Sequence, residues 1–484
     1  MPPLEILTVA EMTAADQAAI AAGTPGTELM ERAGTAAAEA IAARFSPRRT
    51  VVLCGPGNNG GDGYVTARVL AKMGWDVTVQ AAAPPRSPDA LAAAGRWTGP
   101  VGLLNAGAAD FDLVVDAIFG AGLDRPLTAE IQRLARASER WSHKVVAIDT
   151  PSGLSGDTAR KVGEECFHAA LTVTFHRRKP AHALQPGLEY CGEVVVADIG
   201  LGPTPAQLWE NTPDLWLGRF PWPEVNAHKH ARGRLIVVSG EAWNTGAARL
   251  AARSGLRAGA GLVTLLSPPE AAAVNAAHLE AVMLKTFETE LELEAAAANA
   301  EAVVIGPAAG ITEATLSNVL GLARTGAALV LDADALTVFR DDPRELFQAL
   351  DRDDVLTPHV GEFERIFPGV LKGAPERITA ARTAARRAQA TVLLKGPDTV
   401  VASPDGRAAV NLNGTPWLAT AGSGDVLAGL IGGLVAQGME SFEAACAGAW
   451  IHAAAGAAIG PGLISEDLPG RVPEVLKGLW ERAR

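Results

Sequence analysis

The sequence predicts an α/β protein of two domains, each a mainly parallel sheet covered on both faces by helices. Short apolar, β-rich runs alternate with Ala-rich amphipathic stretches along almost the whole chain, the pattern of parallel strands joined by helical crossovers. At 484 residues the chain exceeds what one hydrophobic core usually serves. The alternation breaks once, at "GPTPAQLWENTPDLWLGRFPWPEVNAHKHARG", residues 202–233, where five prolines and three tryptophans fall among polar residues without a usable period. That break sets the expected domains, 1–213 and 224–484.

In the first half strands are expected near 50–54, 76–81, 112–118, 144–148, 171–175 and 193–199, with helices between several of them, a doubly wound layout. In the second half the alternation restarts near 235–239, 262–266, 302–305, 328–331, 355–357 and 391–394, and "TVVASPDGRAAVN" reads as a hairpin turning at Asp405-Gly406. The uncharged run 444–464 has about the length of a membrane span, but His452, four glycines and Pro461 interrupt it, so it reads as a buried helix. No motif is shared between the halves, which predicts different folds and different activities.

With 42 Lys and Arg against 54 Asp and Glu, the net charge is −12, and no basic tract offers a footprint for a phosphate backbone. Nucleic acid is therefore not an expected partner, nor is a membrane. The cysteines, Cys54, Cys166, Cys191 and Cys446, are scattered without metal-ligand or disulfide spacing. The N-terminal stretch "MPPLEILTVAEMTAADQ" lacks the basic start and apolar core of a leader, so a cytoplasmic location is expected.

"VVLCGPGNNGGDGYV" places G-x-G-x-x-G at Gly55, Gly57 and Gly60 between a strand and a helix. A redox dinucleotide site also needs an acidic residue at the end of the second strand. Here that strand ends in Gln80 and alanines. The loop instead carries Asn58, Asn59 and Asp62, oxygens that suit a hard cation or a polyhydroxy ligand. Two more strands break into loops of the same character, "VVDAIFGAGLDRPL" with Asp116 and Gly120, and "VVAIDTPSG" with Asp149 and Ser152. In an open parallel sheet such strand ends converge on one crevice.

These residues, with "GTELMERAG" at 26–34, resemble the epimerase domain of the bifunctional NAD(P)H-hydrate repair enzymes over residues 4 to 212. The resemblance implies a Rossmann-like domain. It places the hydrated nucleotide against Asn58, Asn59, Gly60, Gly61 and Asp62 and against Gly120, Ala121, Gly122, Leu123, Asp124, Arg125 and Pro126. It further implies a potassium ion on Asn59, Asp116 and Ser152, and Asp149 as the catalytic carboxylate. A dinucleotide would thus be bound as a damaged substrate, not as a hydride carrier. Its C6 hydroxyl sits beside the ring nitrogen, so loss and return of that oxygen through an iminium-like ion scrambles the stereocentre. A carboxylate that passes a proton and steadies the cation serves that step.

In the second half "NGTPWLATAGSGDVLAGLIGGLVAQG", residues 413–438, puts backbone N–H groups at a helix N-terminus, an anion hole with Asp425 beside it. "GSGD" resembles the ribokinase-like kinases, in which this Asp deprotonates the accepting hydroxyl. "KHARGRLIVVSG", "TGAARLAARSGLRAGAGLVTL", "VLDADAL", "LTPHVGEFERIF" and "LLKGPDTVVASPDG" narrow the match to the dehydratase half of the same repair enzymes, over nearly all of 224–484. That resemblance implies a ribokinase-like domain. It places Lys395, Gly396, Pro397, Asp398, Thr399 and Gly424 on an adenine nucleotide, ADP or ATP with magnesium. It places Gly259 or Ala260, Gly310, His359 and Asp425 on the hydrate, with Asp425 catalytic; a homo-oligomer is also expected. The family's G-P-G-L-G appears here as "GPAAG", residues 306–310, whose two added methyl groups narrow a backbone-lined contact. His359 also has a plainer reading, a cap that bonds locally. The competing readings are a ribokinase-like small-molecule kinase fused to a nucleotide-binding domain, and a nucleotide sensor without turnover.

Overall fold

The computed structural model describes residues 4–484, so the first three residues of the stretch read for a leader lie outside the described residues. The chain divides after Ala206 into two compact units.

In the first unit the strands are β1 (Arg49–Cys54), β2 (Asp76–Ala81), β3 (Val101–Leu103), β4 (Leu113–Ala117), β5 (Val145–Ile148), β6 (Leu171–Phe175) and β7 (Glu193–Ala197). Among the described residues they form one sheet in the order β3-β2-β1-β4-β5-β6-β7. All its pairings are parallel. The order reverses between β1 and β4, so the loops after these two strands diverge and leave a crevice at their C-terminal ends. The core follows from the period-2 strands: Val52 and Cys54 of β1 join the apolar cluster on one face, Val51 and Leu53 that on the other. Burying both faces leaves polar groups mainly at strand ends, where the expected site residues stand.

The second unit carries β8 (Leu208–Glu210), β9 (Arg234–Val238), β10 (Leu262–Ser267), β11 (Met283–Thr286), β12 (Ala302–Ile305), β13 (Ala328–Leu331), β14 (Val355–Leu356), β15 (Thr391–Leu394), β16 (Val400–Ala402) and β17 (Ala408–Val410). Among the described residues their order is β11-β10-β9-β12-β13-β14-β15-β16-β17-β8. β15, β16 and β17 pair antiparallel, with the hairpin turning where Asp405-Gly406 predicts, and β8 runs parallel to β17. The run read as a buried helix is Ser441–Ile459; by length and composition it could cross a membrane, but it is mostly buried inside the unit, with Phe442, Ala445 and Ile451 in the core.

The expected boundary needs correction. Residues 207–213 belong to the second unit, whose sheet takes in Leu208–Glu210, and the Trp-rich stretch after them is not a linker. Trp216 is buried between Phe220 and Trp450 at ring distances of 6.0 and 6.1 Å. Its Nε1–H donates to Asn211 Oδ1 at 3.1 Å, and Asn211 donates in turn to Asn411 Oδ1 at 2.9 Å and the Cys446 carbonyl at 2.8 Å. Aperiodicity marked irregular backbone, but the tryptophans were there to fill a core.

Candidate functional site

In the first unit a cavity of about 770 Å³ opens at the switch between β1 and β4, lined by Asn58, Asn59, Asp62, the loop 120–125 and Asp149. The three glycines of the first loop serve different ends. A Cβ on Gly55 would lie 1.8 Å from the Ile118 carbonyl oxygen, and one on Gly60 would lie 1.9 Å from that of Gly55, whereas nothing stands within 4 Å of one on Gly57. The first and third permit close backbone packing, and the second leaves the helix Asn58–Lys72 with an open N-terminus, where no side chain caps the first-turn N–H groups. Gly60, Gly61 and Pro126 do not line the cavity: a Cβ on Gly61 would meet Met30, and Pro126 packs by Gly163.

Asp149, the first residue after β5, adopts the left-handed region, φ 66°, and its carboxylate lines the cavity. Oδ2 accepts the Ala121 N–H at 2.8 Å, and Oδ1 accepts from Thr174 Oγ1 at 3.1 Å and faces Lys179 Nζ at 2.8 Å. Burial opposes the charge, but the Lys179 ammonium and these donors hold the carboxyl down at about 2. Lys179 is itself buried and donates to Thr174 Oγ1 at 2.8 Å. Below it His182 accepts the Lys179 N–H on Nδ1 at 3.0 Å and contacts the Asp149 carbonyl through Nε2 at 2.9 Å; burial and the Lys179 charge push its pKa down to about 3, so it is neutral and Nε2 carries the proton.

Asp116 is fully buried beneath this layer. Its oxygens accept the Ser152 N–H at 2.7 Å and the Ser152 hydroxyl at 2.6 Å. These donors are neutral, and burial pushes the carboxyl up to about 6. Asn59 Nδ2 is buried without a partner among the described residues, while a Cβ on Gly120 would stand 3.3 Å from Asn59 Oδ1 and 2.7 Å from Asp149 Oδ2. The Asp116 carboxylate, the Ser152 hydroxyl and the Asn59 amide oxygen are hard donors of the kind a large monovalent ion takes, although the unpartnered atom of Asn59 is its nitrogen. The structure joins Asp116 directly to Ser152, below the cavity lining, whereas Asn59 lines the cavity itself.

The second unit gathers its groups at the C-terminal edge of its sheet. Asp425 stands in the first turn of the helix Ser423–Ala436, entered through Gly422 at φ 84°. Lys395, just beyond β15, bonds to Asp332 Oδ1 at 2.7 Å and lies 3.9 Å from Glu362 Oε2. A Cβ on Gly424 would stand 3.3 Å from Lys395 Nζ, which places the amine over the turn. Burial and the Asp332 charge push Asp425 up to about 6 against the pull of Lys395; burial works against the charge on Lys395, but Asp332 and Glu362 raise its pKa. His359 is the N-cap of the helix Val360–Ile366: its Nδ1 accepts the Gly361 N–H at 2.9 Å, and Nε2 lies 3.2 Å from Glu362 Oε1. The plainer reading of His359 thus holds for both ring nitrogens, while its backbone bridge to Lys395 keeps it beside the site. Gly310 donates its N–H to Asp334 Oδ2 at 2.9 Å. Ala308, the first alanine of GPAAG, adopts φ 54°.

Two expected groups are placed differently here. Gly259 and Ala260 precede β10 and so lie at the opposite, N-terminal edge of the sheet; Gly259 caps its helix at φ 116°, and a Cβ there would meet Gln437 and Arg232. Asp398 is buried and its carboxylate pairs with Arg377 at 3.0 Å, so only backbone of that residue is offered to a ligand. Motif spacing alone also passed over Asp332, Glu362, Asp16 and Lys179. Lys179 had a usable signal, "FHRRKPAH" directly after β6, since every strand end in this sheet faces the same side.

A family model described as YjeF-related protein N-terminus matches residues 26–181, and one described as NAD(P)H-hydrate dehydratase matches 235–463. The bifunctional NAD(P)H-hydrate repair enzyme Nnr of Gloeobacter violaceus is 39% identical over 480 residues, covering 93% of this chain and 92% of that one. The enzyme of the same name from Moorella thermoacetica is 36% identical, covering 98% and 97%. A ribokinase-like superfamily protein from Enterococcus faecalis V583 aligns with a TM-score of 0.51 at 21% identity, over 57% of this chain and 98% of its own, a likeness of fold. With both halves matched in order along nearly the whole length, the chain belongs to the family of bifunctional NAD(P)H-hydrate repair enzymes.

Proposed function

We propose that the protein repairs hydrated NADH and NADPH at two sites, epimerising the R and S forms in the first unit and dehydrating the S form in the second at the expense of ADP or ATP. The observation that carries the reading is the near full-length relationship to bifunctional enzymes, together with a separate carboxylate constellation in each unit.

At the first site Asp149, pinned as an anion, faces the positive charge that develops when the C6–O bond opens and the ring nitrogen donates its lone pair. Potassium on Asn59, Asp116 and Ser152 would neutralise the buried carboxylate and fix the loop that carries Ala121 and its N–H. Replacing Asp116 with Ala should slow epimer exchange and abolish its response to added potassium; a variant with wild-type exchange in potassium-free buffer would remove the cation from this place.

At the second site hydroxide is a poor leaving group. Asp425, whose affinity for a proton lies near the working range, takes the proton of the C6 hydroxyl as that oxygen attacks the terminal phosphoryl group. The first-turn N–H groups and Lys395 balance the phosphates. Phosphate then departs with the oxygen, and loss of a C5 proton restores the C5=C6 double bond. Among the described residues no three His, Cys, Asp or Glu side chains are arranged for a metal. Magnesium would travel on the nucleotide's phosphates, where one or two carboxylates suffice to hold it. The test is to mix hydrated NADH epimers with ADP, and separately ATP, while following NADH absorbance and both epimers by chromatography. Recovery of NADH with phosphate release is expected; accumulation of a phosphorylated hydrate would favour the kinase reading.

A further inference from the structure

The carboxylate at the floor of the first site takes three donors, Lys179, Ala121 and Thr174, and has no proton to give. Opening the C6–O bond needs one, because the departing oxygen must leave as water. The other wall of the cavity is the helix Val9–Ala21, which turns Val9, Met12, Thr13, Asp16 and Ile20 inward on one face. Asp16 is the acidic group of that face, and among the described residues none donates a hydrogen bond to it. We propose that Asp16 is the general acid of epimerisation, delivering the proton to the C6 hydroxyl while Asp149 remains the fixed counter-charge.

The role rests on the epimerase reading of this cavity. The Asp16 O–H passes its proton to the C6 oxygen, the C6–O bond breaks, and the ring nitrogen's lone pair makes the iminium; water and the Asp16 carboxylate result. A water returning to the other face forms the new C6–O bond and releases its extra proton to solvent, from which the Asp16 carboxylate regains one, while Asp149 stays an anion throughout. No electrons are exchanged and no co-reactant is consumed. Burial raises Asp16 to about 6, Lys179 opposing and Asp149 reinforcing the rise, so the two carboxyls are held apart in protonation as an acid and an anion need. Asp62, from the helix Asn58–Lys72, adds a third carboxyl that burial and its two neighbours raise well above the ordinary range, and the charged residues at 86–89 and 124–125 also line the cavity.

The experiment measures epimer exchange by chromatography, after subtracting the spontaneous rate, for the wild type, Asp16→Asn and Asp16→Glu in the full chain across pH 5 to 8. Asp16→Asn should lower kcat about 10²- to 10⁴-fold with KM nearly unchanged and erase the fall in wild-type rate as pH rises through about 6. Asp16→Glu should restore part of the rate and the pH limb. Wild-type kcat in Asp16→Asn, a loss confined to KM, or a pH limb that survives the substitution would overturn the acid role and leave the epimerase reading standing. No enzymic exchange in the wild type would overturn both.

Discussion

Asp149 and Asp425 stand at the C-terminal edges of parallel sheets, yet their neighbours give them opposite habits. Against the cost of burial, Lys179 and the Ala121 N–H keep the first ionised to about 2, whereas burial and Asp332 lift the second to about 6. An anion that stabilises a cation and a base that collects a proton are the two roles these environments support. Asparagine preserves shape and hydrogen bonding in both places but neither charge nor basicity. Asp425→Asn should cut nucleotide-dependent NADH recovery about 10²- to 10⁴-fold while epimers still equilibrate; Asp149→Asn should slow exchange while the S form is still dehydrated. Loss of both activities in either folded variant would contradict two separate sites. Asp149, Asp116 and Ser152 were legible because each stands in or just past the end of an apolar strand that breaks into Gly and polar residues at one end of the sheet. Lys179 and Asp16 were not, since a Lys in a basic run and an Asp in an Ala-rich helix look solvated until tertiary packing turns them inward.

At the scale of elements, the strands buried on both faces were readable to within a residue or two, because continuous Val, Ile and Leu leave little alternative. The misses are β3, β8 and β11, short strands at sheet edges whose pairing is set by a neighbour rather than by their own pattern. The turn after β1 tests how strictly an element depends on one missing side chain. Gly55→Ala forces a methyl group into the Ile118 carbonyl and should cost about 1–3 kcal/mol or more, read as a lower midpoint in urea. Gly57→Ala meets open space at the cavity and should cost no more than about 1 kcal/mol, the ordinary penalty for a poorer N-cap, while weakening substrate binding. Equal midpoints for the two variants would mean that the approach of the loops after β1 and β4 is looser than described.

On the scale of the whole molecule, the two units own separate cores, and their division falls earlier than composition suggested. Residues 207–484 expressed alone should give a cooperative thermal transition, whereas 224–484, which lacks β8 and Trp216, should lose about 3–5 kcal/mol for the emptied tryptophan site alone. A shorter fragment as stable as the longer would show that the Trp-rich stretch adds nothing. β8 has a further meaning for how such genes can be cut and joined. It is three residues long, lies between Pro205 and Pro213, and covers the outer edge of β17. Cut before it, the second unit carries its own edge cover; cut after it, Ala408, Ala409 and Val410 present bare backbone donors and acceptors to any strand that drifts past, the start of a fibre rather than an enzyme. A gene fission that separates the two activities is therefore tolerable on the N-terminal side of Leu208 and hazardous a few codons later.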